Sequence, residues 1–449
     1  MDTFDLKVNA QKLSAIFTEF FNEKSINKIA IETGFIKRNG KLDGFKFLDL
    51  LLFTHCNSKT LSLNQLSSEA KSRYDIDISK QSIDERFNKK SVAFVKAILK
   101  KVINIAVFQD TKIDFTKYDK VRIKDATSFQ LPEIMGDKYK GSGGSASKSA
   151  IKIQFEYDLK NGEILDLSFH SFTEQDTTNA KNTIDDIKPN ELIIRDLGYI
   201  KIEYLIAIEE KKSFYLNRLQ SNIIVYEDKK GKKIDFAKIN NYLILNKLDR
   251  IEKEVYIGKE KFKTRMIIEL LPRKEYEERM RKTNKEAKKK GTKISKNRKI
   301  KMRLNIFITN TDIDKKDIRP LYTLRWQIEL MFKIWKSIGE IDKVKKTKIV
   351  RFETFLIIKI IWIMLNWQLM WQIKIYYLNK KNIEISPYKL FLKLKSDIIY
   401  FRRKLKQGLR KITKYIMDII AMSPRNFKSE KKKYSKTWSY DIIKQFENQ

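Results

Sequence analysis

The sequence predicts a mixed α/β protein: an α/β core interrupted by a strand-rich insertion, with helical regions at both ends. Three observations carry this prediction. Apolar residues recur at helical spacing up to about residue 112. From about residue 120 the pattern changes to short alternating or continuous apolar runs, with helical stretches between them. A second set of strand-like runs, between about 210 and 303, separates that core from two strongly apolar helical segments at 322–336 and 355–373.

The N-terminal region reads as helices at Leu13–Phe21, Phe45–Phe53 and Val92–Val107. Between the last two lies LSLNQLSSEAKSRYDIDISKQSIDERF. Leu63–Lys71 suits one helix. The Ser79 hydroxyl can accept from the first free N–H groups of a second, starting at Lys80 and containing Ser82–Phe87. Two short helices joined by a turn fit a helix-turn-helix DNA reader and a plain helical pair equally well. His55 and Cys56 are expected as ordinary helix residues.

In the core, Val121–Asp125, Ile151–Tyr157 and Ile164–His170 read as strands. Asn161-Gly162 separates the last two and marks a hairpin, because both residues tolerate positive φ. A helix near Ala180–Ile187, a short apolar strand at Leu192–Asp196 and a helix near Ile200–Glu209 follow. Strand, strand, strand, helix, strand, helix is the order of a ribonuclease-H-like core, although other α/β folds share it. The glycine stretch GSGGSASKS at 141–149 lacks the glycine before Lys148 that a phosphate-binding loop needs; Ser147 stands there instead. It reads as a flexible loop between the first two strands.

Residues 210–303 favour strands at Phe214–Leu219, Ile223–Tyr226, Glu254–Ile257 and Lys263–Leu271, then a basic helix and loop. Arg273–Arg303 holds 15 Lys and Arg against 4 Glu, as either a solvated face or a phosphate-contacting surface. Asn305–Asn310 reads as a strand returning to the core. The tail from about 380 is helical and basic, with FRRKLKQGLRKITKY and SEKKKYSK. No internal repeat is visible. These patterns divide the chain into a helical N-terminal DNA-binding domain (1–115), a first core part (116–209), a strand-rich insertion with a basic segment (210–303), a second core part (304–378) and a basic helical C-terminal region (379–449).

Composition narrows the partners and the chemistry. With 94 Lys and Arg against 56 Asp and Glu, the formal charge is +38, which calls for a polyanion: nucleic acid or an acidic membrane surface. Abundant Lys, Ile and Asn also match an AT-rich coding sequence, which inflates charge without function. One cysteine excludes an internal disulfide framework and any cysteine-cluster zinc site. Two histidines leave little room for histidine-rich metal sites or Ser-His-Asp schemes, so carboxylates and metals are the available tools. Met1–Asp5 carries two acids and no basic stretch, so no secretory leader is expected. Phe355–Ile373 approaches the length of a membrane span but contains Lys359, Asn366, Gln368 and Gln372, each costly in lipid. It is expected as a buried core helix, in a cytoplasmic protein that makes no membrane contact.

The segment YTLRWQIELMFKIWK, 322–336, pairs burial with charge. Leu324, Trp326, Ile328, Leu330, Met331, Phe332, Ile334 and Trp335 call for an apolar environment. On a single helix Tyr322, Arg325, Glu329, Lys333 and Lys336 fall in one stripe roughly 80° wide and about 21 Å long. An Arg325–Glu329 pair at i, i+4 accounts for two of them. The others have no anionic partner on that face, which suits phosphates lying along it. One carboxylate among cations stays ionised, as a metal ligand must. Asp125 in VRIKDATSF and Asp196 in ELIIRDLGY are each expected to close a short apolar strand and are the candidates for further hard oxygen ligands.

Together, Tyr322, Arg325, Glu329 and Lys336 spell Y-x2-R-x3-E-x6-K, and the chain resembles bacterial DDE transposases of insertion-sequence family four. ITN at 308–310, LYTLRWQIELMFKIWKS at 321–337, DLGY at 196–199 and YKGSGGSASKSAIKIQ before the second strand extend the resemblance, which covers roughly 30–375. It implies a ribonuclease-H-like catalytic core split by the insertion, with Asp125, Asp196 and Glu329 holding two Mg²⁺ ions, replaceable by Mn²⁺. It implies cleavage at the element's ends followed by strand transfer into target DNA. Tyr322, Arg325, Lys333 and Lys336 would contact DNA. The implied partners are the inverted repeats at the element ends, the target duplex and a second protomer, with the protein on the nucleoid when bound. Two other readings remain: a metal-dependent nuclease that does not join, and a non-catalytic DNA-binding descendant of a transposase.

Overall fold

A computed structural model describes residues 2–37, 40–55, 62–104, 117–144, 146–220, 222–289 and 291–429. Cys56, the last residues of the third predicted helix (105–107) and the tail from 430 lie outside the described residues.

The N-terminal part is helical: α1 (Asp2–Phe20), α2 (Glu23–Glu32), α3 (Gly44–His55), α4 (Leu63–Tyr74), α5 (Lys80–Arg86) and α6 (Lys89–Ile103). Their ends follow the cap chemistry. Ser62 and Gln65 form a reciprocal capping box on α4, and Ser79 accepts from Ser82 N to start α5, as its position predicted. Asp84 of α5 is held by Lys348 at 2.9 Å and by Arg351, which ties the α4–α5 pair to the C-terminal helices.

The strands are β1 (Lys120–Gln130), β2 (Ala150–Asp158), β3 (Ile164–Ser171), β4 (Glu191–Arg195), β5 (Phe214–Arg218), β6 (Val225–Tyr226), β7 (Arg250–Ile257), β8 (Phe262–Leu270) and β9 (Leu304–Thr309). They form one nine-stranded sheet in the order β3-β2-β1-β4-β5-β9-β8-β7-β6. β1, β4 and β5 run parallel; β2 is antiparallel to β1 and β3, and β9 antiparallel to β5. The strands of the 210–303 segment thus continue the core sheet edge to edge. Helices α7 (Asp176–Asn182), α8 (Ile202–Glu210), α9 (Phe236–Leu245), α10 (Arg273–Lys289) and α11 (Lys296–Met302) connect them. The helix expected near Ala180–Ile187 begins earlier and stops at Asn182, and α9 lies between two expected strands where no element was assigned.

The rest is α12 (Lys315–Thr323), α13 (Trp326–Ser337), α14 (Ile349–Lys381), α15 (Pro387–Ser396), α16 (Ile398–Lys406) and α17 (Leu409–Asn426). One apolar core runs from Ala10 to Phe427, joining the N-terminal helices, one face of the sheet and α13–α17. A second core on the opposite face holds α8, α9 and the strands above them. α14 crosses the first core. Its Trp367 stands edge-on to Phe155 and Tyr157, with centroids 5.5 and 5.1 Å apart. The Asn161-Gly162 turn packs beneath it: Trp367 Nε1 donates to Gly162 O at 2.9 Å, and Gly162 (φ +80°) leaves no room for a Cβ beside Trp371. Lys359, expected to be costly in lipid, donates instead to Glu340 O at 2.6 Å. No helix among the described residues is long and apolar enough to cross a membrane.

Candidate active site

Strand alternation decides where the two aspartates point. Val121 and Ile123 of β1, and Leu192 and Ile194 of β4, face the first core. With period 2, Asp125 and Asp196 face the same way. The parallel ladder pairs Lys124 with Arg195, so the aspartates stand on the next rung, one residue past the last pairing. Asp196 keeps an extended backbone, φ −76° and ψ 165°, and begins a short helical turn. Asp125 does not close its strand as expected. β1 continues to Gln130 because β2 still pairs with it there; only the pairing with β4 ends. The aspartate is exposed to chemistry by the loss of one neighbour, not by the end of its own strand.

Glu329 comes from α13. The expected single helix through 322–336 is instead α12 and α13, broken at Leu324–Arg325, where i→i−3 bonds (Arg325 N to Tyr322 O, Ile328 N to Arg325 O) replace the regular ladder. Pro320 inside α12 offers no N–H to the Lys316 carbonyl, and Arg250 Nη1 fills that acceptor at 2.8 Å. The break turns Arg325 inward. Its Nη1 donates to Asp125 Oδ2 at 2.8 Å, and its Nη2 donates to Glu329 Oε1 at 2.9 Å and stands 3.8 Å from Asp196 Oδ1. Tyr322 Oη donates to Asp196 Oδ1 at 3.4 Å. Three carboxylates from separate segments therefore converge on one guanidinium.

The electrostatics follow from that convergence. Burial pushes Asp125 up to about 6, with the charges of Asp196 and Glu329 adding and Arg325 and the Ala126 N–H opposing. Burial pushes Tyr322 up to about 12, so its phenol remains a donor. Burial opposes the Arg325 charge, yet Tyr322 and the three carboxylates hold its guanidinium above its ordinary value.

Three carboxylates suit a hard divalent cation in kind, and they already surround a cation. They are not a preformed cage: among the described residues no group of three His, Cys, Asp or Glu side chains is gathered closely enough to hold a metal ion. Arg325 occupies the point of convergence.

Of the remaining predicted residues, Lys336 Nζ donates to Ser128 O at 2.9 Å, on β1 three residues past Asp125. Lys333 does not join the cluster; it is exposed and lies over the Tyr388 ring, 5.9 Å from its centroid. Trp326 and Leu330 were expected to be buried but are 62% and 50% exposed, one turn apart on the Glu329 side of α13.

Behind the site, on the other face of the sheet, lies a cluster that the sequence reading missed. Glu156 of β2 is fully buried. It accepts from Arg122 Nε at 3.0 Å and Arg195 Nη2 at 3.2 Å and lies 3.5 Å from Lys124 Nζ. Arg122 also pairs with Glu191 at 2.9 Å and Lys124 with Asp166 at 2.8 Å. Burial opposes ionisation of Glu156, but Arg195, Arg122 and Lys124 outweigh it and hold the carboxyl well below the usual range. Lys124 and Arg195 each directly precede a site aspartate. That repeated cation–Asp pair, Lys-Asp and Arg-Asp, is the signal in the sequence that could have revealed the cluster.

A family model described as "Transposase DDE domain" matches residues 117–365, over half of the chain and including all three carboxylates. The transposase for insertion sequence element IS1151 of Clostridium perfringens is 32% identical over 458 residues, covering 96% of this chain and 96% of that protein. The transposase for IS231E of Bacillus thuringiensis subsp. finitimus is 30% identical over 461 residues, covering 98% and 95%. That for IS231F of Bacillus thuringiensis subsp. israelensis is 29% identical over 445 residues, covering 94% and 93%.

Proposed function

Because the chain belongs to the transposase DDE domain family, we infer that it is a DNA transposase of an insertion sequence, binding the element's ends and cutting and rejoining DNA there. The observation that carries the catalytic reading is the convergence of Asp125, Asp196 and Glu329 on Arg325. The order β3-β2-β1-β4-β5, with β2 alone antiparallel, supports a ribonuclease-H-like core. β5 completes that order, so the insertion proper begins after it. In this reading residues 1–115 serve DNA binding, and 379–449 form a basic helical C-terminal region.

Asp125, Asp196 and Glu329 would hold the divalent ions, two Mg²⁺ in this reading, which when bound supply Lewis acidity at a phosphodiester. The chain's own groups do the rest. Arg325 presents two N–H edges where the carboxylates meet, and its planar fork suits the two free oxygens of a phosphate. Tyr322, protonated at neutral pH, donates toward the same point. Lys336 ties the far half of β1 to α13 and keeps a positive charge beside the cleft, while Lys333 offers a charge further out. The overall exchange balances without ATP. Water adds to phosphorus as the 3′ oxygen leaves with a proton; the freed 3′-OH then attacks a target phosphodiester, whose own 3′ oxygen leaves with the attacking hydroxyl's proton, so one phosphodiester is exchanged for another. Bringing two ends together calls for a homodimer on DNA.

The test is DNA carrying the element ends, incubated with wild type and Glu329→Gln, with and without Mg²⁺, and scored for new 3′-OH termini and joined products. Metal-dependent cutting and joining by wild type alone is expected. Binding without cutting, equal in both proteins, would overturn the catalytic assignment.

A further inference from the structure

The basic helices α10 and α11 fold back over the end of β5, beside Asp196. Between them lies a cavity of about 500 Å³ whose lining includes Leu197, Arg218, Gln220, Arg279, Arg298 and Lys301. It is ligand-sized. It is also one-signed: among the described residues no carboxylate lines it. Leu197 directly follows Asp196, and the Gln220 amide donates to Leu197 O, so the cavity opens one residue from the carboxylate cluster.

Neither Arg279 nor Arg218 has a carboxylate within ion-pair distance among the described residues. Arg279, mostly buried, donates to Met302 O at 3.1 Å, Leu304 O at 3.3 Å and Asn305 Oδ1 at 2.9 Å, all neutral acceptors. Burial, followed by the nearby Arg218 charge and with Arg319 adding, holds its guanidinium below its ordinary value against the opposing charge of Glu275. Arg218 has no carboxylate partner among the described residues, and its field reaches Tyr322. A solvated basic face would spread its charges into water. Here two guanidiniums act on each other in a half-enclosed space that no carboxylate lines among the described residues. Planar, multi-donor groups of this kind match phosphate oxygens.

We propose that this cavity is a phosphate subsite, seating a backbone phosphate of the DNA strand within a few nucleotides of the phosphodiester at Asp125, Asp196 and Glu329. The identity of the strand as DNA rests on the transposase reading. Of the 15 cations in 273–303, the subsite uses Arg279, Arg298 and Lys301.

The experiment is a binding scan with the full-length protein, without divalent metal, on element-end duplexes in which single phosphates are replaced by neutral methylphosphonates. Wild type is expected to lose about tenfold affinity at one position near the scissile phosphate. Arg218→Ala is expected to lose similar affinity on unmodified DNA and nothing further at that position. The slope of log affinity against log salt should fall by about one. Arg298→Ala, on the exposed side of α11, serves as a second variant should Arg218→Ala melt early. Variants that retain full sensitivity at every position, or the wild-type salt slope, overturn the subsite. Wild type that cuts the ends but shows no such coupling overturns the subsite alone. Wild type that neither prefers nor cuts the ends overturns the transposase reading, while the variants' salt slope on any duplex still decides the subsite.

Discussion

Glu156→Gln tests whether the buried ion cluster holds the two site strands in place. The cluster is neutral as it stands: Arg122, Lys124 and Arg195 against Glu156, Glu191 and Asp166. Neutralising Glu156 leaves one uncompensated charge, and Arg195 loses the carboxylate 3.2 Å away that is its one acidic partner among the described residues. A unit pair at that distance interacts by about 5 kcal/mol at an effective dielectric of about 20. The amide retains a hydrogen bond of about 1 kcal/mol. The expected loss is therefore about 3–5 kcal/mol, the usual cost of removing one partner from a buried pair. Urea unfolding followed by tryptophan fluorescence reads it as a lower midpoint at unchanged slope. The double variant Glu156→Gln/Arg195→Met restores neutrality and should recover at least about 2 kcal/mol relative to additive single losses. A single variant within about 1 kcal/mol of wild type, or a strictly additive pair, would refute the reasoning. End cleavage should fall with Glu156→Gln even where the protein remains folded, because Lys124 and Arg195 sit one residue before Asp125 and Asp196.

Other perturbations have equally definite outcomes. Asp158 is 1% exposed, and burial pushes its carboxyl up to about 6 against the Val121 and Lys160 N–H groups it accepts. A carboxyl raised above its unfolded value of about 3.9 binds its proton more tightly when folded. Its contribution is full below about pH 4 and lost as pH rises through about 6. Asp158→Asn should then stabilise the protein at pH 7 by up to about 3 kcal/mol and flatten the stability profile between those values, as pH-dependent thermal melts would read. Gly162→Ala places a methyl against the Trp371 ring at a positive φ and should cost about 1–3 kcal/mol, seen as a lower melting temperature. Lys336→Ala should weaken end binding and cleavage together; wild-type cleavage by that variant would remove its assigned role.

What the sequence made legible was the local chemistry. The Ser79 cap placed the start of α5, and Asn161-Gly162 placed the β2–β3 hairpin. Apolar alternation placed β1, and a short apolar run placed β4, closely enough to mark their aspartates. What it hid depends on neighbours from elsewhere in the chain. Val-Arg-Ile-Lys-Asp reads as a strand with one wet face, yet Arg122 and Lys124 are buried because Glu156 arrives from β2 and Glu191 from β4. The break at Leu324–Arg325 follows Pro320, which lies before the quoted motif, and the carbonyl it leaves free is satisfied by Arg250 on a distant strand. Trp326 and Leu330 show that hydrophobicity alone does not guarantee burial. α9 was missed because its apolar run sits among strand-favouring segments.

The aspartates and the cations behind them are two faces of one ladder. In β1 the order is Val121, Arg122, Ile123, Lys124, Asp125; along β4 and one residue past it the order is Leu192, Ile193, Ile194, Arg195, Asp196. Because strand side chains alternate, a slip of one residue would send both aspartates to the wrong face, and would also bury Lys124 and Arg195 among Phe155, Trp335 and Trp367. The apolar residues that stabilise the sheet are therefore the ones that aim the acids. The ion cluster adds a second constraint, since Glu156 can reach both Lys124 and Arg195 only when the parallel register is the one observed. Two independent penalties, one hydrophobic and one electrostatic, oppose the same slip. This is how a pair of partly exposed carboxylates keeps a fixed relation to Arg325 and Glu329.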